Sequence, residues 1–423
     1  MKQGLFCFII VSNYCFKEGS NVNENPKLAW LKNKLRGINY RIFLPYVILM
    51  TIGVVAVYSA SSEILMISGR PAVYYGMKQL AYAIIGVFIC LGLYSIKLDW
   101  LQNGRNLFLL IALTTGLLVY VRIFGQAVNG ARGWINLGVV NVQPLELAKL
   151  ALILYLAEML AKADGHLVPG HIMERLLPPA IIAGGMMFLV VIEPDFGGTA
   201  ILFFLVAIMY SVSGIPSGYA LLSLFGIAVL VVGGFFLIVR WNPDFLQHVY
   251  VFKRFIAFLN PFKTAANEGA QLVNSYYAIH NGGLFGVGIG NSIQKRGYLP
   301  EPYTDFILSI IAEEVGSIGA LLVLGLLFYL LIQIMENGVN AGSQYTSLVC
   351  FGVSAIMFFQ ILFNVGAVLG LMPITGVTLP FISYGGSSLF VLSASIGLVM
   401  NVIAEDDKLK ARKHSNERKP RTV

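Results

Sequence analysis

Charge is what this chain has least of. Asp, Glu, Lys and Arg make up 12% of its 423 residues, against roughly a quarter in soluble globular proteins. Hydrophobic residues make up 57%, and the mean hydropathy is +0.76. That deficit excludes a soluble enzyme, a disordered chain and a nucleic-acid-binding domain. The net charge of +8 points to no nucleic acid either, because much of the excess lies in the two termini, where membrane topology explains it. Cysteine is also sparse. Cys7, Cys15, Cys90 and Cys350 are scattered without CxxC spacing, so neither a disulfide framework nor a thiolate metal site is expected. His166, His171, His248, His280 and His414 are dispersed and receive no catalytic role. There is no Walker A run, no HExxH and no GxSxG, which removes the usual warrants for ATP hydrolysis, zinc proteolysis and elbow-type serine hydrolysis. The apolar stretch 5–11 is too short to span a bilayer and no small-residue cleavage site follows it, so it reads as tail rather than signal peptide.

What is present is long apolar runs. A hydrocarbon core of about 30 Å needs roughly 20 apolar residues per helix, and ten segments approach this, near residues 40–60, 75–96, 107–124, 144–161, 176–192, 197–212, 219–239, 306–335, 346–371 and 380–403. The expected fold is an all-α polytopic integral membrane protein of about ten transmembrane helices. Residues 1–39 form an N-terminal tail, 40–403 the membrane domain and 404–423 a basic C-terminal tail. Seven Lys or Arg lie in the chain up to Arg41 and seven follow Ile403, which predicts that both termini are cytoplasmic. The breaks at 126–143, 193–196, 240–305 and 372–379 then face outward. The long loop 240–305, between the seventh and eighth helices, mixes aromatics with Pro and Gly, so it is expected to be ordered and partly amphipathic. No inverted repeat of the transporter kind is visible.

In so apolar a chain the remaining ionisable groups are the informative ones, since each needs a partner, water or a function. Glu146 and Lys149 lie three apart at the start of the fourth span, on one helix face. A structural ion pair explains them as well as a functional site does. Glu193-Pro194-Asp195 ends the fifth span, and a solvated turn is the commoner case for such a tripeptide. The eighth span opens with Glu301-Pro302-Tyr303-Thr304-Asp305 and carries Glu313-Glu314 about 12–13 Å further along if the helix starts at Asp305. In the predicted topology Glu146, Lys149, Asp195, Asp305 and the Gly/Ser-rich run 383–388, including Ser387, all border the outer face. Arg132 and Lys295-Arg296 add positive charge at that level. Cations beside carboxylates and backbone-exposing glycines suit an anionic ligand such as a phosphate or pyrophosphate, although ion-coupled transporters assemble similar mixtures.

From about Arg41 to Ile403 the chain resembles the shape, elongation, division and sporulation (SEDS) family, of the FtsW and RodA type. The resemblance rests on NGARGWI (129–135), QPLELAKL (143–150), EPDFGGT (193–199), FLNPF (258–262), QLVNSYYAI (271–279), GLFGVGIGNSIQKRGYLPEPYTDFI (283–307), the acidic pair at 313–314 with Gly316, and GVTLPFISYGGSS (376–388). GVGIGNSIQKRGYLPE is closer to the division-type FtsW branch than to RodA. Leu145, Thr375 and His280-Asn281 depart from common family residues.

The resemblance implies a peptidoglycan glycosyltransferase that polymerises lipid II at the outer face of the bacterial cytoplasmic membrane, at the division septum, with a class B penicillin-binding protein and other division proteins as partners. It makes Asp305 the essential acid of the TDF motif and puts Glu146 and Lys149 in the same cavity. A hydroxyl nucleophile needs a base within hydrogen-bond reach, and a carboxylate at a helix mouth serves if partial burial raises its pKa. Asp305 is thus the expected catalytic base, with Arg132, Glu146, Lys149, Asp195, Lys295, Glu301 and Ser387 as substrate-binding candidates. A divalent cation, Mg or Mn, could share the diphosphate charge, with no ligand set fixed by the sequence and no organic cofactor expected. The plain alternative for Asp305 is an N-cap. A lipid II flippase, an elongation-type RodA-like polymerase and a scaffold recruiting a division synthase are the competing readings.

Overall fold

The computed structural model describes residues 37–128, 131–136, 138, 141–163, 172–214, 217–241, 250–265 and 269–417. The chain divides into Met1–Ile38, of which Gly37 and Ile38 are described, and a body, Asn39–Val423, that holds every element below.

Among the described residues ten long helices take the places of the ten apolar segments. These are α1 (Tyr40–Ile67), α2 (Tyr74–Ser95), α4 (Gly104–Phe124), α5 (Pro144–Ala163), α6 (Ile172–Ile192), α7 (Phe196–Val212), α8 (Ser217–Trp241), α11 (Ile307–Val339), α12 (Gln344–Val368) and α13 (Gly386–Glu417). A single turn, α3 (Leu98–Leu101), precedes α4, while α9 (Tyr250–Leu259) and α10 (Ala270–Gly282) lie in the long loop and give it the order its composition predicts. Six helices, α1, α2, α4, α11, α12 and α13, are long and apolar enough to cross a membrane, and α6, α7 and α8 contribute shorter apolar stretches. The exception, α5, carries Glu146, Lys149, Glu158 and Lys162 and is buried along most of its length, so protein and not lipid surrounds the first three, while Lys162 near its end is exposed and pairs with Glu158.

Polar residues mark where these helices begin. Asn39, Asn103, Asp195 and Ser343 accept backbone N–H bonds at the starts of α1, α4, α7 and α12. The interior of the bundle is α12 and α13, whose spanning windows are 72% and 89% buried, whereas α4 at 28% lies at the periphery. Small residues allow the tightest approach. A side chain on Gly397 would overlap the carbonyl of Cys90, and one on Gly86 would crowd Ser393, so α13 lies directly against α2. Further packing joins α1 to α2 and α11, α12 to α5, α7 and α11, and α8 to α6.

Three features depart from the sequence reading. The break at 126–143 holds a small antiparallel sheet of β1 (Gln126–Val128), β2 (Ala131–Asn136) and β3 (Asn141–Val142), in that order, with Val128 opposite Ala131 and Ile135 opposite Val142. The last helix starts at Gly386 and not near Pro380, because the Leu379 carbonyl closes a turn onto the Ile382 and Ser383 N–H groups and Phe381 takes a φ of 63°. It also continues past Ile403 to Glu417, through the predicted tail, where Glu405–Lys408 and Asp406–Lys410 ion pairs support the added turns.

The eighth spanning helix, α11, is broken at Gly316, where φ is 79° and ψ 173°. Segment 283–288 lies along this break. The Val287 and Gly288 N–H groups donate to the Glu313 and Glu314 carbonyls, and the Ser317 and Ile318 N–H groups donate to the Gly283 and Leu284 carbonyls. A β-carbon at Gly316 would overlap the Leu284 carbonyl, whereas one at Gly325 of the same helix meets open space. Gly316→Ala should therefore cost about 1–3 kcal/mol through its left-handed φ alone, and more through the overlap. A clear fall in the thermal midpoint of the detergent-solubilised protein, with Gly325→Ala near wild type, is the expected outcome.

Candidate functional site

The spans that start on one face are the fourth, sixth, eighth and tenth, and hydrogen bonds tie their N-terminal ends together. Before α5, the Gln143 N–H donates to Ser387 Oγ on α13 at 3.1 Å, and Ser387 Oγ donates to the Asn141 carbonyl at 2.6 Å. Gln143 Nε2 reaches Asp195 Oδ2, ahead of α7, at 3.4 Å. Before α11 and α13, the Tyr384 N–H donates to the Tyr303 carbonyl at 2.9 Å. Each helix N-terminus carries unpaired N–H groups and a partial positive charge, so four of them around one region favour an anion there.

Asp305 lies immediately before α11 but does not cap it. Phe306 occupies the N-cap position, and no side chain makes a capping bond there. That removes the plain alternative role from Asp305 and passes it to Asp195, whose Oδ1 accepts the Gly198 N–H at 2.7 Å at the head of α7. Asn364 of α12 instead fixes the backbone of Asp305. Its Nδ2 donates to the Asp305 carbonyl at 2.7 Å and to the Val377 carbonyl at 2.8 Å. Gly376 leaves room beside the carboxylate, for a β-carbon there would stand 3.3 Å from Arg254 Nη1 and 3.6 Å from Asp305 Oδ2. Tyr75 stacks on Tyr303 at 4.8 Å between ring centres and meets Tyr384 edge-on at 4.9 Å, holding the 301–305 segment between α2 and the turn before α13.

Burial sets the electrostatics of these loop carboxylates. It pushes the Asp305 carboxyl up to about 6, with the Arg254 guanidinium pulling it back down and Glu301 adding to the rise. Asp195 is raised for the same first reason, against its bond from Gly198 and the charges of Lys149 and Arg254. Glu193, buried next to Asp195, is pushed up to about 8, so it is mostly protonated at neutral pH. Its Oε1, with Asn364 Oδ1 and Thr375 Oγ1, is buried without a hydrogen-bond partner among the described residues, which makes the region receptive to further polar groups.

The predicted residues do not all come together. Glu146 and Lys149 form a buried ion pair at 2.7 Å, and the Lys149 charge still reaches Asp195. Ser387 is buried at the α5–α13 junction, and Glu301 is exposed, with φ 53°, near Asp305. Lys295 is not presented to this region. Its Nζ is buried 2.8 Å from Glu314 Oε1 and bonds to Ser59, so its charge is already taken up. Arg296 pairs with Glu63 at 3.1 Å. Arg132 stands on β2, and its side chain lies outside the described residues. The sequence reading missed Arg254 and Asn364. Arg254 lies on α9 in the long loop, reaches the Ile374 carbonyl at 3.3 Å, and acts on both Asp305 and Asp195. Its segment, FKRFIAFL, carries two adjacent basic residues, Lys253 and Arg254, among aromatic and apolar ones, which singles out neither; Asn364 showed only as a polar residue near the end of a span.

The Glu146–Lys149 pair generates a stability test. Lys149→Met strands a buried carboxylate and should cost about 3–5 kcal/mol, read as a lowered thermal midpoint, whereas Glu146→Gln with Lys149→Met should recover much of the loss.

A family model described as a cell cycle protein, FtsW/RodA/SpoVE, matches residues 40–408. The probable peptidoglycan glycosyltransferase FtsW of Lactococcus lactis is 38% identical over 407 residues, covering 91% of this chain and 96% of that one. Stage V sporulation protein E of Bacillus subtilis is 34% identical over 84% of this chain and 94% of its own. Among solved structures, RodA of Thermus thermophilus superposes with a TM-score of 0.62 at 27% identity, over 87% of this chain and 97% of that one. A chain from a peptidoglycan synthase complex, described for its coordination of polymerization and crosslinking, superposes with a TM-score of 0.67 at 28% identity, over 87% and 98%. The ten-helix bundle, the motifs along it and these matches together mean that the chain belongs to the FtsW/RodA/SpoVE family of cell cycle proteins.

Proposed function

We propose that the chain is a peptidoglycan glycosyltransferase of the division type, polymerising lipid II into β-1,4-linked glycan at the outer face of the bacterial cytoplasmic membrane. The observation that carries this reading is Asp305, a partly buried carboxylate that caps no helix, lies beside Arg254 and stands at the start of α11, tied through Tyr303 and Tyr384 to the start of α13. The names of the relatives support the activity, and the cell-cycle description of the family supports the division role.

The chemistry follows from the residues. Nucleotide sugars are cytosolic, so a transferase working outside needs a donor already activated on a lipid, and a polyprenyl diphosphate supplies both activation and leaving group. Asp305 takes the proton of the acceptor sugar hydroxyl as that oxygen attacks the anomeric carbon of the donor. The bond to the diphosphate oxygen breaks on the opposite side, and one displacement inverts the centre to the β-link. The departing diphosphate gains charge as the bond breaks, and Arg254 with the four N-termini stabilises it. Lys149, held against Glu146, orders the floor of the site and adds to the field at Asp195.

A divalent cation, Mg or Mn, belongs to the proposal only as a counter-ion to the diphosphate. Among the described residues no three His, Cys, Asp or Glu side chains form a metal cluster, so its ligands would be chiefly substrate oxygens and water, and no step above runs through it. The basic termini support an outward-facing site with both tails in the cytoplasm. The synthase complex among the structural relatives supports a class B penicillin-binding protein as partner.

The test is glycan polymerisation from purified lipid II by the chain together with that partner. Asp305→Asn should fold with an unchanged thermal midpoint and lose product by at least two orders of magnitude, the scale of a lost general base. Equal product from the two proteins would clear Asp305 of catalysis. Lipid II translocation in vesicles without any glycan formed would favour the flippase reading.

A further inference from the structure

Segment 281–294, NGGLFGVGIGNSIQ, contains no Asp, Glu, Lys, Arg or His, unlike the rest of the long loop around it. Its apolar side chains are not tucked away: Leu284 is 63% exposed, Phe285 81% and Ile289 68%. Part of its backbone is paired with α11. Hydrogen bonds from Val287, Gly288, Ser317 and Ile318 lace it to both sides of the α11 break, Gly286 donates to the Gly282 carbonyl and Asn291 to that of Gly288. At the far end of the segment, Glu313 accepts from the Ser292 hydroxyl and from the Ile293 and Gln294 N–H groups, and Asn281 Nδ2 donates to it at 2.8 Å. The backbone bonds this loop makes run to α11, while the side chains it exposes, Leu284, Phe285 and Ile289, are apolar.

The level of the loop follows from α11. Residues 315–335 carry no charged side chain, and at 1.5 Å per residue such a stretch spans roughly 30 Å, the thickness of the hydrocarbon core. Gly316, Ser317 and Ile318 therefore stand just inside one edge of the core, and the loop bonded to them stands at the same level. On α11 the exposed stripe Val315, Ile318, Leu321 and Leu322 continues from the Leu284–Phe285 tip.

The geometry points to segment 283–290 as a re-entrant tip, with Leu284, Phe285 and Ile289 inserted among the acyl chains of the leaflet on the side of Asp305. The occupant of this apolar surface is membrane lipid, because the tip prolongs the lipid-facing stripe of a spanning helix and has no charge to keep it in water. From Gly290 the chain runs only a short way before it reaches Asp305, so a loop fixed in the bilayer also fixes the height of that carboxylate over the membrane surface.

The test uses the full chain in liposomes, with Cys7 and Cys15 replaced by Ser, and an environment-sensitive fluorophore on Phe285→Cys, on Ile289→Cys or, as the lipid-facing reference, on Leu322→Cys. The native Cys90 and Cys350 are buried. Expected is blue-shifted emission at 285 and 289, quenched by phospholipids spin-labelled near the head group about as strongly as the reference is by deeper labels, with iodide without effect. Iodide quenching or rapid reaction with a membrane-impermeant maleimide would place the tip in water and overturn the inference. Protection from both quenchers would mean a protein surface covers it, and would overturn it equally. The readout does not depend on activity, so it stands apart from the fate of the polymerase reading.

Discussion

Every backbone N–H and C=O inside a bilayer needs a partner, and that one constraint shapes this protein more than any side-chain contact. Helices meet it unaided, which is why apolar helices dominate the fold. Irregular chain survives only where neighbouring segments supply bonds. The α11 break at Gly316 is paired with segment 283–288, the turn before α13 closes on Leu379 and on Tyr303, and Asn364 inside α12 bonds to two loop carbonyls. The candidate site is built from these repaired irregularities. Because the chain must leave helical form there to bring Asp305, Gly376 and Tyr384 together, the starts of α5, α7, α11 and α13 are left facing the same region.

Charge placement follows the same logic. A lone buried charge is expensive, and the structure answers mostly with pairs: Glu146 with Lys149, Glu314 with Lys295, Asp406 with Lys410. At Asp305 the balance is different. The Arg254 guanidinium, beside Gly376, offsets only part of the burial effect, and Glu301 works against it. The carboxylate is left poised between its two protonation states near neutral pH, which suits a group that must accept a proton and later release it. A cation that cancelled the burial effect in full would hold the carboxylate permanently ionised and make it a weaker base.

The sequence revealed most of the fold and about half of the site. Ten apolar runs gave ten helices because the bilayer sets their length, and Asp305, Asp195, Glu146 and Ser387 stood out because polar residues are rare in so apolar a chain. Contacts between residues distant in the chain were not legible. Lys295 looked like a cation available to substrate, but Glu314, one turn-rich segment later, takes it up. Arg254 carried no local pattern to separate it from other loop cations, and its role depends on Gly376, far along the chain, lacking a side chain. The β-sheet at 126–142 was hidden for a related reason: strands of three, six and two residues are too short to show a period.

The central claim is that Asp305 is a base tuned by burial and by Arg254, and the pH dependence of polymerisation tests it most directly. Raising the pH removes the proton that blocks a carboxylate base, so the rate should climb through an acid limb near pH 6 and then level off. In Arg254→Gln the cation that pulls this value down is gone, and the limb should move to higher pH even if the plateau is lower. A limb that stays where it is in the variant, or a rate that does not respond to pH around 6, would contradict the account.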